Sequence, residues 1–146
     1  PGSTIRVTGG IDMKHPIGAI TSALCAFFGD DHRRIQHAVL VLHQALLLNE
    51  DRDCDHEILV AAALLHDVGI KPAEAKHGYN DGRLQEEYGP AEARRILEGL
   101  GFPSEKTRIV TDIIGNHHSP SRFAHPELAV LKEADRLVNR QEEAAG

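Results

Sequence analysis

Residues 58–67 have the sequence Ile-Leu-Val-Ala-Ala-Ala-Leu-Leu-His-Asp, an apolar run that ends on an imidazole and a carboxylate. A run without polar positions is typical of a helix that is buried on every side. Burial of an imidazole and a carboxylate is costly unless the two groups are paired or coordinated. The doublet His66-Asp67 therefore predicts a cation at the end of a core helix.

The flanking sequence has helical patterns throughout, and the alternation typical of strands is absent. Pro90 and Pro126 suit first turns of helices, Ser104 suits an N-cap, and Gly69 and Gly101 suit left-handed positions after last turns. Residues 71–88 are rich in Gly, Asn, Asp and charges and predict a long loop with room for one short helix. We predict an all-α fold with helices over about 17–28, 31–48, 55–65, 90–100, 104–114 and 126–141.

Length and composition predict one globular domain. The chain has 146 residues, of which 41% are apolar, and this suits a single core formed by residues 11–146. We expect residues 1–10 to be flexible and treat residues 1–3 as the remnant of an expression tag. The formal charge of −6 argues against a nucleic-acid polymer as the main partner.

Two cysteines, Cys25 and Cys54, form neither a CxxC pair nor a disulfide framework, and we interpret them as reduced thiols. The sequence has no apolar stretch of membrane-spanning length and no pattern of a signal peptide. These observations predict a cytoplasmic protein without a membrane partner.

Three predicted helices each direct an ionisable side chain inward. On the first long helix His37 shares a face with Val41, and on the last helix Asp135 lies in the apolar stripe with Leu131. His66 continues the inward face of its own helix. Acidic and imidazole groups from three helices are therefore expected to meet in the interior.

A structural interpretation is available for each of these residues taken singly. An inward histidine is more often a hydrogen-bonded core residue than a ligand, and an inward aspartate can pair with an arginine. Two imidazoles and two carboxylates together make a nitrogen and oxygen site that suits Mn, Fe, Co, Ni, Zn or Mg. The combination favours a divalent metal.

The strings Arg-Ile-Gln-His-Ala at 34–38, Leu-Leu-His-Asp-Val-Gly at 64–69 and Glu-Ala-Asp-Arg-Leu at 133–137 carry a family resemblance. Their ordered set resembles the HD superfamily of metal-dependent phosphohydrolases, over about residues 31–139. The resemblance implies a bundle of five or more helices that holds one divalent metal. The implied ligands are His37, His66, Asp67 and Asp135.

The resemblance also implies hydrolysis of a phosphoester in a nucleotide or another small phosphorylated metabolite by a metal-activated water. Asp67 is the candidate for orienting that water. Lys71 is a candidate for neutralising phosphate charge, although many family members place this lysine directly after the glycine and here Ile70 intervenes. Arg33, Arg34 and Arg136 flank ligand positions and are candidates for phosphate contacts, with a solvent-exposed role as the alternative for each.

His117 and His118 follow a predicted helix and are candidates for lining the substrate site, with a helix C-cap role as the alternative. Two-metal relatives, including the HD-GYP enzymes that cleave cyclic di-GMP, hold a second ion with additional histidines. One of these histidines is replaced around residues 85–87, although the carboxylate of Glu86 suits a hard ion or a catalytic role. We expect one metal, and a second is compatible with Glu86, His117 and His118.

Two other functions remain open at this point. A degenerate domain of this kind can bind a nucleotide and signal without turnover, and some proteins of this fold are diiron oxygenases. The sequence leaves the substrate, the identity of the metal and the oligomeric state undetermined.

Overall fold

The computed structural model describes residues 16–145, so the predicted flexible segment 1–10 lies outside the described residues. All regular structure in residues 16–145 is helical, which confirms the predicted all-α class. A short 3-10 helix, Asn49–Asp51, follows the second α-helix. The α-helices are α1 (Pro16–Phe28), α2 (His32–Leu48), α3 (His56–Leu65), α4 (Ile70–His77), α5 (Gly82–Gly99), α6 (Ser104–Ile114) and α7 (Pro126–Ala145).

Helix α3 is the centre of the fold. Every residue from Ile58 to His66 is buried, as the apolar run predicts. The helix packs against α1, α2, α6 and α7, while α5 packs against α4 and α6. Because α3 is enclosed on all sides, the doublet at its end lies inside the bundle.

Three helices begin with the same local interaction. The carboxylates of Asp31, Asp55 and Asp81 accept hydrogen bonds from backbone N–H groups three residues later, at 3.4, 3.0 and 2.9 Å. An N-cap of this type stabilises a helix by about 1 kcal/mol. Helices were predicted to begin near Asp31 and Asp55, whereas the helix that Asp81 begins was not predicted.

Residues 71–88 contain the short helix that was allowed for, but the long loop predicted around it is wrong. Helix α4 begins at Ile70, and Pro72 lies in its first turn, where a missing N–H costs nothing. Helix α5 begins at Gly82, so that Pro90 lies inside the helix rather than in its first turn. Only residues 78–81 separate the two helices.

Gly69 is also explained differently from the prediction. Its φ of −67° is right-handed, so no left-handed C-cap requires a glycine there. A Cβ at this position would lie 2.6 Å from the carbonyl oxygen of Gln85 and 2.7 Å from the backbone nitrogen of Gly89. Gly69 therefore permits the close approach of the doublet segment to α5.

Two helix ends differ in detail. Pro103 rather than Ser104 is the N-cap of α6 and makes no side-chain cap, while α7 continues past the predicted end at Gln141 to Ala145. Within residues 16–145, no helix has both the length and the apolar character that crossing a membrane requires.

Candidate metal centre

The four predicted ligands meet between α2, α3 and α7. Nε2 of His37 lies 3.0 Å from Oδ1 of Asp135 and 3.6 Å from Oδ2 of Asp67. Nε2 of His66 lies 3.4 Å from each of the same two oxygens. Two imidazole nitrogens and two carboxylate oxygens thus face one point, the donor set that divalent transition metals prefer.

His66 is held in the form that binds a metal. It is fully buried, and Nδ1 donates to the carbonyl oxygen of Ala63 at 2.8 Å. This bond places the proton on Nδ1 and the lone pair on Nε2. Nε2 has no hydrogen-bond partner among the described residues. A buried, unpartnered lone pair that faces two carboxylates fits a metal ligand better than a core histidine.

His37 is oriented in a comparable way by a carboxylate that sequence reasoning missed. Nδ1 of His37 lies 3.0 and 3.1 Å from the two carboxylate oxygens of Glu142. Metal-binding histidines commonly donate their second ring N–H to such a group. Glu142 continues the inward stripe of α7, seven residues after Asp135, because the helix extends beyond its predicted end.

The carboxylates control the protonation of the imidazoles. Burial lowers the pKa of His66, but the negative charges of Asp67 and Asp135 outweigh burial and raise it to about 9. Burial likewise opposes ionisation of Asp67, yet His66 and His117 lower its pKa to about 2. The pKa of Asp135 lies far below its usual range despite burial, because the imidazoles of His37 and His66 lie beside its carboxylate. A metal ion would therefore displace protons from this group.

His117 has the same local geometry as His66, at the end of a different helix. Its side chain is 1% exposed, Nδ1 donates to the carbonyl oxygen of Ile114 at 2.6 Å, and Nε2 is unpartnered within residues 16–145. Nε2 lies 3.9 Å from Oδ1 of Asp67. The ring thus approaches the second carboxylate oxygen of Asp67, and its centre lies 5.5 Å from that of the His66 ring. This geometry suits a ligand of a second ion, the alternative that the sequence left open for His117.

Asp67, His117 and His118 form a second group of ligand atoms, all within 4.8 Å of one another. The two oxygens of Asp67 face different imidazoles, since Oδ2 approaches His37 and His66 while Oδ1 approaches His117. A carboxylate in this position can bridge two ions. His118 itself is exposed.

Glu86 was a candidate ligand of a second ion, but it is not part of this group. Its Oε2 accepts hydrogen bonds from the backbone N–H of His118 at 2.8 Å and from the hydroxyl of Ser119 at 2.9 Å. Glu86 therefore holds the loop after α6, and its carboxylate is engaged by that loop.

Lys71 also lies away from the predicted position. Its ammonium donates to the carbonyl oxygen of Phe27 at 2.7 Å and lies 5.2 Å from the centre of the Phe27 ring. Lys71 lines a cavity of about 610 Å³ between α1, α4 and α5, which contains none of the predicted metal ligands. Ile70, which precedes Lys71, lines a different cavity beside the predicted ligands instead.

A cavity of about 190 Å³ gives access to the centre, and His37, Asp67, Ile70 and Glu142 contribute to its wall. Arg34 also lines it, although its guanidinium is paired with Glu74 and Asp31. Arg136 is exposed and is not among the lining residues, whereas Arg33 and Asn139 are.

Comparisons with known proteins agree with this arrangement. The crystal structure of a predicted HD superfamily hydrolase from an uncultured Thermotogales bacterium is similar, with a TM-score of 0.61 and 26% identity. The match covers 87% of this chain and 68% of the other. No curated protein has significant similarity to the chain. The family model of the HD domain matches residues 34–140, which include all four predicted ligands, and the chain therefore belongs to the HD domain family.

Proposed function

We propose that this protein is a metal-dependent phosphohydrolase that acts on a nucleotide or another small phosphorylated metabolite. The observation that carries the proposal is the unpartnered Nε2 of the fully buried His66, which faces the carboxylates of Asp67 and Asp135. A buried ring nitrogen without a hydrogen-bond partner is costly unless a ligand occupies the site. His37, His66, Asp67 and Asp135 would hold the ion.

When bound, a divalent ion lowers the pKa of water and polarises a phosphoryl oxygen. Asp67 orients the attacking water, because its carboxylate remains ionised and Oδ1 is directed away from His37 and His66. The low pKa of Asp67 makes this carboxylate a hydrogen-bond acceptor that aligns the water rather than a strong base. Hydrogen bonds from His37 to Glu142 and from His66 to Ala63 keep the ligand rings in place.

The mouth of the cavity suits an anionic substrate of modest size. Arg33 lines it and is exposed, so its guanidinium is available to a phosphate. Arg34 contributes less net charge because Glu74 accepts two hydrogen bonds from it at 3.0 Å. We expect Arg33 to bind a phosphate oxygen of the metabolite and the phosphorus to face Asp67.

The test is turnover of a panel of phosphomonoesters and phosphodiesters by metal-free protein after addition of Mn²⁺, Fe²⁺, Co²⁺, Ni²⁺, Zn²⁺ or Mg²⁺. Activity that returns with metal and is absent from His66→Ala and Asp67→Ala supports the proposal. Full activity in metal-free protein contradicts it. Nucleotide binding without any product after long incubation would instead indicate a signalling module.

One observation favours a second candidate, a diiron oxygenase. The two oxygens of Asp67 face separate groups of imidazoles, as a bridging ligand between two irons would. Two irons per chain together with substrate-dependent oxygen consumption would support this function. Phosphoester hydrolysis without oxygen consumption would exclude it.

A further inference from the structure

A chain of side-chain hydrogen bonds joins the mouth of the cavity to the loop after α6. Arg34 donates to both carboxylate oxygens of Glu74 at 3.0 Å, and Nδ2 of Asn80 donates to the same carboxylate at 2.7 Å. Nε2 of Gln85 then donates to Oδ1 of Asn80 at 2.8 Å. Oε1 of Gln85 finally lies 2.5 Å from Nε2 of His118. Two amides thus connect an ion pair to a histidine of the second ligand group.

The direction of every bond in this chain is determined at its Glu74 end. The hydrogen bond from Arg34 lowers the pKa of Glu74, and an ionised carboxylate only accepts. Asn80 must therefore direct its NH₂ at Glu74 and its oxygen at Gln85. Gln85 must in turn direct its oxygen at His118, so Nε2 of His118 carries a proton and donates it. The lone pair of this neutral ring is then on Nδ1.

Helix α5 also fixes the position of the His118 ring. A Cβ at Gly82 would lie 3.0 Å from Cβ and Cγ of His118, so the ring packs directly on the first residue of α5. The backbone N–H of His118 donates to Oε2 of Glu86 at 2.8 Å. Gly82, Gln85 and Glu86 together hold both the backbone and the side chain of His118.

We infer that Gln85, supported by Asn80 and Glu74, is a positioning residue that presents Nδ1 of His118 to a second divalent ion shared with Asp67 and His117. The buried, unpartnered Nε2 of His117 is the independent observation that points to a ligand there. The inference rests on the proposed function, because the second ion shares Asp67 with the first. Gln85 lies in the segment 85–87 around which the resemblance implies a histidine in two-metal relatives, so α5 would orient a ligand instead of supplying one.

The first test needs no metal. In metal-free protein labelled with ¹⁵N-histidine, the ring signals of His118, assigned by comparison with His118→Gln, should show the Nε2-protonated tautomer. Gln85→Met removes the acceptor and should allow the Nδ1-protonated tautomer to appear. Gln85→Glu retains an acceptor oxygen and should preserve the wild-type tautomer. An unchanged tautomer in Gln85→Met would overturn the inference.

The second test counts ions by calorimetric titration with Mn²⁺. Wild-type protein should bind two ions. Gln85→Met should lower the affinity for the second ion by about 10- to 100-fold and leave the affinity for the first ion unchanged. Asn80→Ala allows the Gln85 side-chain amide to rotate by about 180° and should lower the affinity for the second ion by about tenfold or less. Arg83→Met, on the exposed face of α5, is the control that should change neither ion.

The outcomes separate this inference from the proposed function. Binding of one ion in wild-type protein, or equal loss of both ions in Gln85→Met, would overturn the role of Gln85 and leave the first site intact as a hypothesis. Binding of no ion at all would contradict the proposed function, while the tautomer of His118 would still be measurable.

Discussion

The two sides of the centre are held in place by different means. On the helix side, His37, His66 and Asp135 project from α2, the end of α3 and α7, which pack against one another around the core. On the loop side, His117 and His118 follow α6 and are held by the hydrogen bonds that they donate to Gln85, Glu86 and Ile114. Asp67 faces both sides. The difference suggests that the helix side retains an ion on its own, whereas the loop side depends on its supporting hydrogen bonds.

The largest expected effect is the loss of a helix-side ligand. His66→Ala and Asp135→Ala should each abolish metal binding and lower turnover by at least about a hundredfold, the upper end of what loss of an outer-shell partner costs. Metal content of the purified proteins measures this. His117→Ala should keep one ion per chain, and a variant that loses all metal would show that the two sides are not separable.

The close contact between Gly69 and α5 should be sensitive to a single added methyl group. Gly69→Ala would place a Cβ 2.6 Å from a backbone oxygen of α5 and should lower the free energy of unfolding by about 1–3 kcal/mol or more. Gly18→Ala is the matched control, since no atom lies within 4 Å of its new Cβ. Gly18→Ala should be neutral or stabilising by up to about 1 kcal/mol in denaturant titrations. Equal stabilities of the two variants would argue against the close approach.

The pH dependence of stability should report on the helix side. The raised pKa of His66 contributes stability that is complete below its ordinary pKa of 6.5 and is lost as pH rises through about 9. The lowered pKa of Asp67 contributes stability that is complete above its ordinary pKa of 3.8 and is lost as pH falls through about 2. Metal-free protein should therefore be most stable between these ordinary values.

A bound metal ion should oppose the loss of stability above pH 6.5, because the ion competes with protons for the imidazole nitrogens. Between pH 6.5 and 9 metal-free protein should lose on the order of 1–3 kcal/mol, while the stabilisation by added metal increases. Denaturant titrations with and without EDTA at several pH values measure both. Parallel curves would mean that the imidazoles do not exchange protons for the ion.

The smallest expected effect is that of Glu142→Gln. The carboxylate is 42% exposed and acts only through Nδ1 of His37, so its loss should lower the affinity for the ion by about tenfold or less. Calorimetric titration measures the change. A loss as large as that of His66→Ala would show that Glu142 is itself a ligand.

Helical periodicity was sufficient to predict the helix side. Val41 and Leu131 determined the inward faces of α2 and α7, and both residues are fully buried in the structure. Glu142 was missed only because the polar tail obscured the continuation of α7, although its spacing from Asp135 follows the same stripe. Local patterns therefore predict those side chains whose direction is set by their own helix.

The loop side could not be predicted in this way. The contact of Gly69 with α5 and the bonds of Gln85 with His118 join residues that are distant in sequence, and no local period encodes them. Lys71 shows the same limit, because its ammonium contacts Phe27, which lies 44 residues earlier in the chain. Sequence could name His117 and His118 as candidates, but the packing of α5 and α6 decides what each histidine faces.

The central claim is that His37, His66, Asp67 and Asp135 hold a divalent ion. Anomalous diffraction at the manganese edge, from crystals grown with Mn²⁺, tests it most directly. We predict a peak at about 2.0–2.3 Å from Nε2 of His37, Nε2 of His66 and one oxygen of each aspartate, distances typical of such ligands. A bound ion located elsewhere, or no peak at this position at saturating Mn²⁺, would contradict the claim.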